Sequence, residues 1–171
     1  MKTESLPPND LPQLRDLDQP FIFDIYMHNR LFRFRFYDTS SPTNYTLLRP
    51  DFLILCYDVS KRSTLESLAS KWKWEVESHF NYDEKLPVMV LGLKRDLRKE
   101  WTEKDKLVFG KGDSVMPQEG LGLAQRMRVD RYAECSAVTG ELCKEVLEDI
   151  AKTAAKASAG GGKSEGSCTM M

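Results

Sequence analysis

Two runs that are apolar almost without interruption, DFLILCYDVS over residues 51–60 and PVMVLGL over 87–93, constrain this chain more than anything else in it. A strand with one solvated face alternates apolar and polar residues. A short continuous run bounded by polar residues suits a strand covered on both faces, and such strands are usually parallel. Parallel neighbours need a crossover, and the residues between the runs supply one. Leu65, Leu68, Trp72 and Val76 mark a helical stripe, and Ser63 followed by Glu66 predicts a capped start.

The pattern repeats downstream. PQEGLGLAQRM reads as a helix opened by Pro117, RYAECSA as a short strand, and TGELCKEVLEDIAKTAAKA as a last helix with Leu142, Val146, Leu147 and Ile150 on its apolar stripe. Upstream, FIFDIYM and LFRFRFYD flank His28-Asn29-Arg30. The second run sets Phe32, Phe34 and Phe36 on one face and Arg33 and Arg35 on the other, which predicts an antiparallel hairpin buried on one side. Alternating strands and helices predict an α/β fold, a mainly parallel sheet with helices on both faces. Residues 1–20, with Pro7, Pro8, Pro12 and Pro20, read as an irregular arm. Residues 21–157 read as the domain, and 158–171, beginning SAGGGKSEGS, as a flexible tail. Trp72 and Trp74 cannot share a helix face, so one is expected in the core and the other on the surface.

At 171 residues the chain suffices for one core. Its 25 Lys+Arg against 26 Asp+Glu give a net charge of -1, so no global pull toward nucleic acid is expected. Cys56, Cys135, Cys143 and Cys168 form no CxxC pair, and neither His28 nor His79 has a companion at metal-ligand spacing. A reducing compartment fits. No run approaches the ~20 apolar residues of a membrane span.

In an open α/β sheet ligands bind beyond the carboxyl ends of the strands. Three such ends are Asp38-Thr39-Ser40-Ser41, Leu93-Lys94-Arg95-Asp96 and Glu134-Cys135-Ser136-Ala137. Taken alone, Lys94 and Asp96 equally suit the solvated end of a buried strand.

In order and spacing these segments resemble the Rho branch of the Ras-like small GTPases, whose domains share the fold of the P-loop NTPases. DTSSPTNYTLLRPDFLILCYDVS is similar to that family's DTAGQE segment and following strand, LKRDLR to its [NT]KxDL element, and ECSA to its ExSA element. The 18 residues between Arg98 and Pro117 stand where the Rho branch carries an insert, and Cys168-Thr169-Met170-Met171 has the C-a-a-X form that is prenylated. The resemblance implies GTP or GDP with magnesium as ligands, with Lys94, Asp96, Ser136 and Ala137 at the guanine base. Asp96 would accept from guanine N1 and N2, the Lys94 stem would lie over the ring, and the Ala137 amide would donate to O6. Asp38 would face the metal indirectly, and Cys168 would carry the lipid. It further implies effector or regulator proteins as partners of a monomer held at the cytoplasmic face of a membrane, the plasma membrane first among them. Lys152, Lys156 and Lys163 flank the tail.

Several family positions differ. Leu93 replaces the Asn or Thr before the lysine, and Val138 stands where many relatives have a lysine. Ser41 replaces the glycine that senses the γ-phosphate, and Pro42 replaces the water-orienting glutamine. The 171 residues contain no GxxxxGK[ST], and the region aligned with the switch threonine reads Asp16-Leu17-Asp18. A triphosphate would meet Asp16, Asp18 and Asp38 without placed cations, so hydrolysis by these residues is not expected.

Residues 1–20 cannot supply the family's first strand. Either the hairpin closes up beside Phe52–Tyr57 or a slot remains between them. The gap also raises the expectation that these residues are a portion of a longer GTPase-like protein. Competing readings are a nucleotide-free interaction module of the same fold, a pseudo-GTPase, and an unrelated α/β binding domain.

Overall fold

The computed structural model describes residues 19–27, 29–38, 48–80, 86–99, 112–160 and 168–170. Asp16, Asp18, Thr39, Ser40, Ser41 and Pro42 lie outside them, as do most of the arm and most of the segment between Arg98 and Pro117.

The two apolar runs become β3 (Leu53–Asp58) and β4 (Val88–Leu93), paired in parallel from Leu53↔Val88 to Asp58↔Leu93. On the other side of β4 lies β5 (Arg131–Glu134), also parallel, with Gly92 opposite Glu134. All three carboxyl ends therefore open at one edge. The crossover from β3 to β4 is α1 (Arg62–Ser67), a π-helical turn (Leu68–Trp72) and α2 (Lys73–His79). Ser63 does not cap it: the first helical residue is Arg62, and no side chain caps the preceding Lys61. A nearby hydroxyl braces this start instead, because Thr64 Oγ1 accepts the Asp58 N–H at 3.0 Å and donates to the Lys61 carbonyl at 2.7 Å.

Helices cover both faces of this sheet. Leu65, Leu68 and Val76, with Leu123, Ala124 and Met127 of α3 (Pro117–Met127), pack on Leu53, Leu55, Tyr57, Val88 and Val90. Val146, Ile150, Ala151 and Ala154 of α4 (Cys143–Gly160) pack with Phe34, Phe52, Met89 and Leu91 on the opposite face. Trp72 packs against the first cluster while Trp74 is exposed, as helical spacing requires. Leu142 departs from its expected place on the stripe. It precedes α4 in a left-handed turn, at φ 58°, and is partly exposed.

The hairpin forms as expected, β1 (Phe21–Met27) against β2 (Arg30–Phe36), turning through Asn29 at φ 60°. Phe32, Phe34 and Phe36 stack at centroid distances of 6.3 and 5.7 Å, and Arg33 pairs across the strands with Asp24 at 2.8 Å. Of the two arrangements left open by the sequence, the hairpin does not close up beside β3. Among the described residues β2 makes no ladder with β3, and there are two three-stranded sheets, β1-β2-β6 and β3-β4-β5. A cleft of about 490 Å³ separates them, lined by Phe36, Asp38, Ile54, Cys56, Trp72 and Leu93 among others. Phe34 of the hairpin is nevertheless buried in one cluster with Phe52, Met89 and Ile150.

The tail also departs from expectation. Helix α4 runs to Gly160, and the backbone of β6 (Cys168–Met170) pairs in parallel with β2, Phe34↔Cys168 through Phe36↔Met170.

Candidate guanine-recognition site

Beyond Leu93 the chain leaves β4 through Lys94, which is left-handed at φ 59° and ψ 42°, and enters a single 3₁₀ turn, Arg95–Leu97. A lysine in that region is uncommon and needs fixing by its surroundings. Three contacts fix it. Arg95 N–H donates to the Cys135 carbonyl at 3.1 Å, Leu97 N–H donates to the Lys94 carbonyl at 2.9 Å, and Lys94 Nζ donates to Asp58 Oδ2 at 2.8 Å. Asp58, at the end of β3, also accepts the Ser60 N–H and hydroxyl on Oδ1, at 2.8 and 2.6 Å. Burial works against its charge, but the donors from Lys94 and Ser60 prevail and hold its carboxyl below the usual range.

Asp96 is exposed at the rim, and its Oδ1 accepts the hydroxyl of the fully buried Ser136. Ser136 Oγ in turn accepts the Thr139 N–H at 3.2 Å, and Ser136 N–H donates to Glu141 at 3.1 Å. Ser136 is therefore a positioning residue, holding the Asp96 carboxylate from behind. No described residue donates to Asp96 Oδ2, and the exposed Ala137 offers its N–H to no described acceptor. The edge thus presents a carboxylate oxygen, an amide donor and the aliphatic stem of Lys94. Guanine fits this set, because its N1 and N2 donors meet the carboxylate and its O6 meets the amide. Adenine would set its N1 acceptor against Asp96.

A buried cluster below the rim carries no mark in the motifs beyond Glu134 itself. Glu134, almost fully buried, accepts from Arg98 Nη2 and from the Tyr132 hydroxyl, and Tyr57 reaches it at 3.4 Å while lying 3.0 Å from Tyr132 Oη. Burial would raise its carboxyl, yet Arg98 and Tyr132 hold it below its ordinary value. Burial pushes the Tyr57 phenol up to about 12 and raises Tyr132 as well. Two glycines make room for these rings. A Cβ on Gly92 would stand 2.9 Å from Tyr57 Oη, and one on Gly120 would stand 2.4 Å from both phenol oxygens. Arg95 joins the loops, pairing with Glu141 and lying 3.7 Å from Glu134. The signal that could have found this cluster is the pair of glycines inside otherwise regular elements.

Asp38 is not part of this assembly. It is exposed on the cleft between the sheets, and its backbone carbonyl accepts Gln19 Nε2 at 2.6 Å. Among the described residues no three His, Cys, Asp or Glu side chains gather where they could hold a metal ion. The site residues on 93–98 and 134–137 are brought together, and Asp38 and Cys168 are not joined to them. Only the backbone of Cys168 is described, on β2.

Residues 20–156 match the Ras family, and three parallel strands with helices on both faces suit that assignment. The chain belongs to the Ras family and carries a small-GTPase-like domain.

Proposed function

We propose that this chain is a Rho-branch member of the family that recognises guanine through Lys94, Asp96, Ser136 and Ala137 and serves signal transduction through protein contacts at a membrane surface. The observation that carries the guanine reading is the fixed carboxylate. Asp96 is braced by Ser136 on one oxygen while the other is open beside the Ala137 amide and the stem of Lys94. The Rho assignment rests on the segment between Arg98 and Pro117 and on the form of LKRDLR and ECSA.

The phosphate half is weaker in these residues. Lys94 is committed to Asp58 at 2.8 Å, and the sequence contains no GxxxxGK[ST]. Binding is therefore carried by the base, and hydrolysis is not supplied by these residues. Prenylation at Cys168 would add a single reversible anchor, assisted weakly by Lys152, Lys156 and Lys163. Partners are effector or regulator proteins of Rho-type signalling.

The test is a titration of fluorescent GDP, GTP and ADP with magnesium against the purified chain. The reading expects weak binding of both guanine nucleotides, at least tenfold preferred over ADP, since one mispaired carboxylate is worth about 1–3 kcal/mol. Equal affinity for ADP would overturn it. Binding of none would favour the nucleotide-free interaction module.

A further inference from the structure

We propose that Cys135 and Cys143 form a peroxide-oxidisable thiol pair whose disulfide reshapes the loop of residues 136–142; its consequence for nucleotide rests on the reading above. Cys135 directly follows β5 and Cys143 opens α4. The chain between them turns back on itself, with the Ser136 N–H on Glu141 at 3.1 Å and the Cys143 N–H on Gly140 at 3.4 Å. This return brings both side chains into one apolar cluster with Leu91, Val146 and Ile150. The Cys143 thiol donates to the Ser136 carbonyl at 3.3 Å, and Cys135 is buried in the cluster against which Cys143 packs. The Cys143 thiol is thus tied to the carbonyl of the residue that braces Asp96.

Cys135 is buried and Cys143 only half-buried, so a small oxidant meets Cys143 first. Its thiolate attacks one oxygen of hydrogen peroxide and the O–O bond breaks. Cys143 becomes a sulfenic acid, and the departing hydroxide takes the thiol proton to leave as water. The Cys135 sulfur then attacks the Cys143 sulfur, the S–S bond forms, the S–O bond breaks, and the hydroxyl leaves with the Cys135 proton as a second water. Two thiols lose two electrons to one peroxide. Burial pushes the Cys135 thiol up to about 12, so this second step is slow beside that of an exposed thiol. Once the bond is made, the S–H that the Ser136 carbonyl accepts is gone. The loop must find another arrangement, and Asp96, held through the Ser136 hydroxyl, moves with it.

The test treats the reduced full chain with hydrogen peroxide, blocks remaining thiols and digests with trypsin. Residues 132–144 form one tryptic peptide holding both cysteines, so the bond appears there as the loss of two hydrogens. The expected result is that this peptide dominates the disulfide products of folded protein but not of urea-unfolded protein. Hydrogen exchange over 136–142 should rise, and GDP affinity should fall about tenfold, as loss of one hydrogen bond to the loop allows. Cys143→Ser keeps a donor for the Ser136 carbonyl, so in that variant peroxide should leave loop exchange unchanged. Links through Cys56 in place of this pair, or a bonded peptide with unaltered loop exchange, would overturn the proposal. If neither reduced nor oxidised protein binds GDP, the guanine reading fails, while the peptide and the exchange still decide the thiol pair.

Discussion

Lys94 Nζ stands 2.8 Å from Asp58 Oδ2, so the lysine expected to cover a purine is fastened by its tip to the end of the neighbouring strand. The fastening leaves the stem as a fixed platform and uses up the positive charge. A Lys94 side chain so held has less rotamer freedom to lose when a base arrives, which favours base contact over phosphate contact.

Asp58→Asn should therefore free Lys94 and weaken guanine-nucleotide binding several-fold. Folding stability should fall by about 1–2 kcal/mol, since Ser60 also loses a charged acceptor. Isothermal titration and urea melts read the two effects separately. Asp96→Asn should behave differently. It removes the guanine acceptor from an exposed rim, so affinity should drop at least tenfold, with stability within about 0.5 kcal/mol of the parent.

Gly120 and Gly122 lie in the same helix and should respond to alanine in opposite directions. A Cβ at 120 would press into both phenol oxygens at 2.4 Å, whereas one at 122 would meet only Arg126 Nη1 at 3.5 Å. Gly120→Ala should destabilise by about 1–3 kcal/mol, because overpacking exceeds the gain in helix propensity. Gly122→Ala should stabilise by up to about 1 kcal/mol. Thermal melts of the two variants check the sign.

Glu134 and Asp58 have folded-state carboxyls held below their ordinary values. Each therefore contributes stability that is complete above the unfolded carboxylate range and is lost as pH falls through the lower, folded-state value. Glu134→Gln leaves Arg98, itself nearly buried, without its anion, which should cost about 3–5 kcal/mol near neutral pH. Urea melts between about pH 5 and pH 3 should show a shallower acid dependence for the variant than for the parent.

How far the sequence reveals this arrangement depends on the range of the interactions involved. The continuous apolar runs at 51–60 and 87–93 announce buried parallel strands, because burial on both faces leaves no place for alternation. LKRD and ECSA are legible as a joint site because both follow such strands. Ser136 appears there only as a motif residue, and its hydrogen bond to Asp96 depends on how two loops far apart in sequence meet. The Tyr57, Tyr132, Glu134 and Arg98 cluster is similarly non-local. Its trace is two glycines, which local propensity alone reads as weaknesses. Ser63 is misread as a cap because the helix starts one residue earlier, at Arg62, which puts Ser63 inside its first turn. The separation of hairpin and parallel sheet is a matter of tertiary arrangement, which no period in the sequence encodes.

The pairing of Cys168–Met170 with Phe34–Phe36 gives a final expectation. That parallel ladder engages backbone groups along one edge of β2, and its contribution is readable at single residues. A chain ending at Ser167 should show faster amide exchange along β2 in the Phe34–Phe36 stretch and unchanged exchange in β4, whose partners β3 and β5 are untouched. The hairpin itself should persist, because its seven cross-strand pairs and the burial of Phe34 in the core cluster do not involve the tail. Equal exchange along β2 in both chains would mean that the edge is held by the aromatic stack alone and that the terminal strand adds no protection.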